Sequence, residues 1–208
     1  MNKNSFSLLL ILFVLTIFSA GCKKTLTVEE EKYIQSVMQE RTEKDLAFQK
    51  EADSPFKREP GVMFEPLKYF DVDPAFVFKG KLTKYSSQDT VTTFGTKGDK
   101  RLAVRYGWFT FTHKDKSFKV NVYKSWTRAG REYFAVWFTD RTTAKETYGV
   151  GRYLDFTLSN DSSFIYTIDF NQAYNPYCAY SSQYSCSIPL KEDYIDIEIT
   201  AGEKKFHH

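Results

Sequence analysis

The stretch Tyr106-Gly107-Trp108-Phe109-Thr110-Phe111-Thr112-His113-Lys114-Asp115-Lys116-Ser117-Phe118-Lys119-Val120-Asn121-Val122-Tyr123-Lys124 reads as two strands folded about a short turn. Phe118, Val120 and Val122 alternate with Lys119, Asn121 and Tyr123. A period of two places one set on a single face of a strand. The polar His113-Lys114-Asp115-Lys116 between the two runs is a hairpin signal. The same pattern extends in both directions. Phe76, Phe78, Gly80 and Leu82 alternate with Val77, Lys79 and Lys81, and Thr90 to Phe94 reads as a polar edge strand. Downstream, Tyr133 to Thr139 and Tyr148 to Leu158 are strands. Asn160-Asp161 is a turn, and Phe164 to Phe170 is another strand. In Tyr194 to Thr200, Ile195, Ile197 and Ile199 alternate with Asp196 and Glu198. The spacing predicts an all-β domain, an antiparallel sandwich or partly closed barrel of about eight strands, with one helix before it.

That helix is expected from Thr27 to about Gln49. Thr27 and Glu30 form a capping-box pattern, and Glu29, Glu30 and Glu31 suit a helix N-terminus. Its apolar stripe through Ile34, Val37, Met38, Leu46 and Phe48 is narrow, so a spacer that docks its later part is expected. Ser54-Pro55 ends it. Phe64 to Phe70 is an irregular aromatic lead-in that plugs one end of the core.

The first residues carry a targeting pattern. Lys3 precedes the apolar run Phe6 to Phe18, too short for a comfortable membrane span and suited to a signal segment. Ser19-Ala20-Gly21-Cys22 resembles the cleavage site of bacterial lipoproteins, although Ser19 departs from the usual Leu or Val. The resemblance implies acylation of Cys22 and a lipid-anchored protein of the cell envelope, on an outer membrane or periplasmic face. The expected organisation is a signal peptide over 1–21, a tether and helix over 22–53, and a β-rich domain over 54–205. Lys and Arg number 29 against 26 Asp and Glu, nearly balanced once Lys3 leaves with the leader. Such a balance provides no field to recruit nucleic acid.

Lipidation of Cys22 leaves Cys178 and Cys186. An even number in an oxidising compartment is expected to pair as a disulfide, contributing roughly 2.5 kcal/mol through loop closure. No metal site is expected, because a zinc site would need more ligands and no further Cys or His lies near Cys178 and Cys186. His113 falls in a predicted turn, and no motif calls for a cofactor.

Polar and aromatic residues crowd between Asp140 and Pro189. Asp140, Glu146, Asp155 and Asp169 are carboxylates near strand ends, with Arg152 among them. One reading is a hydrolase whose acid and base come from Asp140, Glu146 or Asp169, with Arg152 holding the substrate. The other pairs Arg152 with a carboxylate to organise loops. Gly149 and Gly151 are expected at a bulge or a close backbone approach. Asn171, Tyr174, Asn175, Tyr177 and Tyr180 are the candidate ligand contacts, since tyrosine offers an apolar face with a polar tip. For Asn171 and Asn175 loop scaffolding is the favoured reading, and for the tyrosines packing stands level with ligand contact. Trp108, Trp126 and Trp137 are expected in the core.

Several runs here resemble the bacterial domain-of-unknown-function family 1684, many of whose members are predicted lipoproteins. The resembling residues include Glu146-Thr147-Tyr148-Gly149, Gly151-Arg152-Tyr153-Leu154, Asp169-Phe170-Asn171, Ala173-Tyr174-Asn175-Pro176 and Cys178-Ala179. Cys186, Pro189 and Ala201-Gly202-Glu203-Lys204 belong to the same pattern. The family implies no established reaction. The sequence therefore points to an envelope domain that binds a glycan, peptide or protein, ahead of a hydrolase or a purely structural spacer.

Overall fold

The computed structural model describes residues 25–58, 61–127 and 129–206. The expected signal segment and Cys22 lie outside the described residues. The hairpin forms as expected, from β4 (Lys100–His113) and β5 (Lys116–Trp126). Lys114 and Asp115 both take positive φ, of 47° and 61°. That pair of conformations matches the twist of the flanking strands in a two-residue hairpin turn. β4 is bulged between Arg105 and Gly107, which bends the strand.

The main sheet grows from this hairpin. Its order is β2 (Thr83–Lys84), β4, β5, β6 (Glu132–Asp140) and β7 (Arg152–Phe156), with β3 (Thr90–Phe94) also on β4. A separate pair joins β1 (Val77–Gly80) to β8 (Tyr166–Asp169). These contacts are antiparallel, and the two sheets pack as an open sandwich rather than a closed barrel. Between them lie Phe109, Phe111, Val120, Val122, Val136, Phe138, Ile168 and Phe170. The alternating residues seen in the sequence are therefore the ones that face the core.

The last strand departs from expectation. Only β9 (Tyr194–Ile195) pairs, and it runs parallel to the end of β6. Ile195 and Ile199 are buried while Asp196 and Glu198 are exposed, so the alternation is real. The backbone nonetheless leaves the sheet: Ile197 N–H donates to Ile195 O at 2.8 Å and Arg141 N–H donates to Ile197 O at 3.0 Å. Carbonyls farther along are taken by an arginine side chain.

The other face of the main sheet carries Ala103, Tyr123, Ala135 and Trp137. Tyr123 and Trp137 stack with ring centres 5.0 Å apart. The segment from Asn171 to Pro189 bridges to the sheet's outer edge. Tyr153 N–H donates to Tyr174 O at 2.9 Å, and Tyr174 N–H returns a bond to Tyr153 O at 3.0 Å. An edge strand left open invites pairing with another chain, and this contact covers part of it.

Helix α1 (Val28–Lys50) has the expected capping box between Thr27 and Glu30. It docks along more of its length than its stripe suggests. Tyr33 already donates to Asp169 Oδ2 at 2.7 Å. Buried Arg41 donates to Phe70 O at 2.8 Å and to Asn171 O at 3.3 Å. Phe48 joins Phe56, Leu67, Ala179, Tyr180 and Phe206 in a second apolar cluster, which is where the aromatic lead-in closes the end of the domain. Met38 and Leu46, assigned to the stripe, are exposed instead. No helix among the described residues is long and apolar enough to cross a membrane.

Candidate functional site

Arg152 opens β7, and its side chain is 1% exposed. Nη2 donates to Asp140 Oδ2 at 2.6 Å and to Ile199 O at 2.9 Å. Nη1 donates to Ala201 O and, at 3.4 Å, to Glu203 O. Asp140 also accepts from Thr142 N–H at 2.6 Å. A guanidinium presents five donors in a fixed fork, and here the fork serves the carbonyls that an unpaired final segment leaves open. Burial lowers the Arg152 pKa, with Asp140 opposing that effect. Asp140 and Arg152 are thus joined to each other beneath the surface, and neither lines the open groove described below. Of the two sequence readings, the pair matches Arg152 joined to a carboxylate as an internal anchor and not the acid, base or substrate clamp.

Of the remaining carboxylates, Asp155 and Asp169 line the open groove described below and Glu146 does not. Glu146 is exposed, and its backbone carbonyl accepts from Lys205 N–H at 2.9 Å. Asp169 caps the one-turn 3-10 helix Phe170–Gln172 by accepting from Asn171 N–H at 2.9 Å, besides the Tyr33 hydroxyl. Asp155 accepts from the Tyr174 hydroxyl at 2.6 Å. The acid/base set drawn from Asp140, Glu146 and Asp169 is not assembled.

Three of the five expected ligand contacts are scaffolding. Asn171 is buried, donating to Asp73 O at 2.8 Å while its Oδ1 accepts from Asp73 N–H at 2.8 Å. Buried Asn175 donates through Nδ2 to Lys204 O at 2.8 Å. Tyr180 is 1% exposed, and its hydroxyl donates to Glu203. Glu203 is the residue that the sequence reading passed over. Its carboxylate, also 1% exposed, accepts from Lys44, from Tyr180 and from Asn175 N–H at 2.7 Å. Its signal in the sequence was the Ala201-Gly202-Glu203-Lys204 run, where an acid sits among small residues close to the chain's last core aromatic.

Tyr174 and Tyr177 do reach an open surface. They line a groove of about 1560 Å³ together with Tyr133, Tyr153, Tyr184 and Trp126. Trp126 is 40% exposed, which corrects its assignment to the core. β6 and β7 supply Tyr133, Tyr153 and Asp155, the end of β5 supplies Trp126, and the long loop, paired onto β7 at Tyr174, supplies Tyr174, Tyr177 and Tyr184. Tyr177 and Tyr184 meet edge to face at 5.1 Å. Lys44 lies 5.0 Å from the Tyr174 ring centre, and Arg58 lies 5.5 Å from that of Tyr184. At another side of the groove Asp99 accepts from the Ser185 hydroxyl and, at 2.8 Å, from Arg101 Nε. These bonds, the Ser185 one foremost, hold its carboxyl down at about 2. Sequence spacing could not gather Trp126, Tyr133 and Arg101 with Tyr174, because they come from three strands and a loop.

Cys178 and Cys186 meet at the end of this loop. Both are free thiols, and Cys178 N–H donates to Cys186 Sγ at 3.2 Å. The expected disulfide is absent among the described residues, and the two thiols lie side by side. Gly151 takes a φ of +109°, and a Cβ there would lie 2.5 Å from Phe138 O and 3.0 Å from Pro189 Cγ. The close approach expected for Gly151 is thus real. Gly149 has only ordinary contacts around it.

No curated protein matches the chain. Among solved structures, it is similar to an uncharacterised protein of Haloarcula marismortui determined by solution NMR. The two share 28% identity over 86% of this chain and 98% of that one, with a TM-score of 0.63. The family model described as "Protein of unknown function (DUF1684)" matches residues 62–204. That span contains the stretch from Asp140 to Pro189, the Arg152 and Glu203 anchors and most of the groove, and the chain belongs to the DUF1684 family.

Proposed function

We propose that the protein is a lipid-anchored protein of the cell envelope whose β-domain binds a glycan or peptide in the groove beside β7. The observation that supports this is the clustering of Tyr133, Tyr153, Tyr174, Tyr177, Tyr184 and Trp126 around one open concavity. Aromatic rings provide flat apolar area with little entropy to lose on binding, and their polar tips can bond to hydroxyls or amides. Exposed Gln183 and Asp155 line the same groove and add polar partners. The groove favours binding over a role as an inert spacer.

The test is a screen of envelope glycans and peptides against the full chain in detergent micelles, repeated with Tyr177→Ala. Tyr177 is 40% exposed. The substitution is therefore expected to weaken binding about tenfold or more while leaving the unfolding transition in place. Identical affinity for wild type and variant, or no binding across the screen, would overturn the reading. For the anchor, Cys22→Ser is expected to abolish palmitate incorporation and release the protein from the membrane fraction. Unchanged fractionation would remove the lipid anchor from the proposal.

A further inference from the structure

The proposed binding role does not use Cys178, Cys186 and Tyr148, all singled out by the sequence. Cys178 lies in the one-turn 3-10 helix Tyr177–Ala179. The Tyr148 hydroxyl, from the Glu146-Thr147-Tyr148-Gly149 run, donates to Cys178 O at 3.2 Å and to its Sγ at 3.7 Å. Eight positions on, Cys186 is held by backbone bonds. Thr96 N–H donates to Cys186 O at 3.0 Å, and Cys186 N–H donates to Thr96 Oγ1 at 3.3 Å. Two separate supports thus hold the thiols in mutual contact. Cys186 lines the groove, and Tyr184, in the span between the cysteines, packs on Tyr177 immediately before it.

From this geometry we infer that Cys178 and Cys186 form a thiol–disulfide exchange site for a low-molecular-weight disulfide, whose closure fixes the tyrosine wall of the groove. Cys178 is the attacking sulfur. Hydrogen bonds from Cys186 first, and from the Tyr148 hydroxyl as well, stabilise its thiolate and bring its pKa down to about 7. The hydrogen bond to Cys178 and burial push the Cys186 thiol up. In the first step the Cys178 thiolate bonds to one sulfur of the small disulfide, whose S–S bond breaks and releases one thiolate. Cys186 then attacks the Cys178 sulfur as a thiolate, forming the internal bond and expelling the second small thiolate. The two protein thiol protons pass to the released thiolates. The protein is oxidised by two electrons and the small disulfide is reduced by two, so no other oxidant is needed. The consequence for binding rests on the groove reading, whereas the exchange itself does not.

The test uses the full chain, reduced, desalted and incubated with excess glutathione disulfide. The sample is then alkylated and cut with trypsin. Cleavage after Arg152 and Lys191 leaves both cysteines in one fragment, so Cys22 does not interfere. The expected fragment carries no alkyl group and has lost two hydrogens. Two alkyl groups on the fragment of a still-folded protein would overturn the exchange site. Cys186→Ser is expected to trap a glutathione adduct on Cys178, and absence of that adduct would overturn Cys178 as the attacker. Chymotrypsin is expected to cut at Tyr184 about tenfold more slowly in the oxidised protein, because loop opening is suppressed. Equal rates would overturn the fixing of the wall. None of these readouts uses a groove ligand, so an empty binding screen would not disturb them, and a failed exchange would leave groove binding intact.

Discussion

Arg152 shows what one side chain can decide. It joins β7 to a final segment whose alternation looks like a strand but whose sheet pairing with β6 ends at Ile195, and it takes up the Ile199 carbonyl there. Removing one partner of a buried ion pair leaves the other charge without compensation. Arg152→Met is therefore expected to lower the unfolding free energy by about 3–5 kcal/mol, measured by denaturant titration. A double-mutant cycle with Asp140→Asn separates their mutual attraction from the carbonyl contacts. If Arg152→Met unfolds within about 0.5 kcal/mol of wild type, the anchor is not structural. Tyr177 and Tyr180 make the complementary point. They are the same residue type three positions apart, yet one is 40% exposed and the other 1%. Sequence could nominate both as contacts. Phe48 of α1 packs on both rings; what separates them is Phe56 and Phe206, whose rings lie 5.5 and 5.6 Å from Tyr180, and the Glu203 carboxylate that accepts the Tyr180 hydroxyl.

Among elements, local chemistry and long-range pairing contributed unequally. The capping box, the β4–β5 turn and the run of β6 can be read from their own residues, because caps, positive-φ turns and period-two faces are short-range properties. The tight passage at Gly151 has a local component too. Its φ of +109° is costly for a residue with a Cβ, and the Phe138 carbonyl occupies the space a Cβ would need. Gly151→Ala is expected to cost about 1–3 kcal/mol, seen as a lowered thermal midpoint, with Gly149→Ala near neutral as the comparison. Equal midpoints for the two variants would contradict the close approach. The docking of α1 was less legible. Its apolar stripe is thin because polar side chains do much of the docking: Tyr33 on Asp169, Arg41 on Phe70 O and Lys44 on Glu203. A hydropathy pattern registers none of these.

At the scale of the whole molecule, the aromatic content becomes a pH dependence. Burial first, and then neighbouring carboxylates, raise the hydroxyl pKa of Tyr123 beside Asp193 and of Tyr180 beside Glu203 above the ordinary value of 10.0. In the unfolded chain these groups ionise near 10; in the folded chain they keep their protons to higher pH. The native state then binds more protons, so stability is full below about pH 10 and falls as pH rises above it. The slope is about 1.4 kcal/mol per pH unit for each tyrosine ionised only when unfolded. Denaturant titrations at about pH 9 and about pH 11 should show the loss, with tyrosinate absorbance appearing together with unfolding. Equal stability at the two values would contradict it.

The sequence by itself determined the all-β class, the helix before it and the family. Alternating side chains, caps and turn residues act over a few positions, and the motif runs are long. It also located the stretch that matters, from Asp140 to Pro189. The tertiary structure alone decided what that stretch does. Arg152 and Asp140 became an anchor because the final segment left carbonyls to be satisfied inside the fold. Glu203 became a hub because α1 brings Lys44 to it. The groove exists because residues from β5, β6, β7 and the long loop meet around one concavity. Those outcomes depend on which distant groups arrive together in the same low-dielectric space, and separation along the chain carries no record of that.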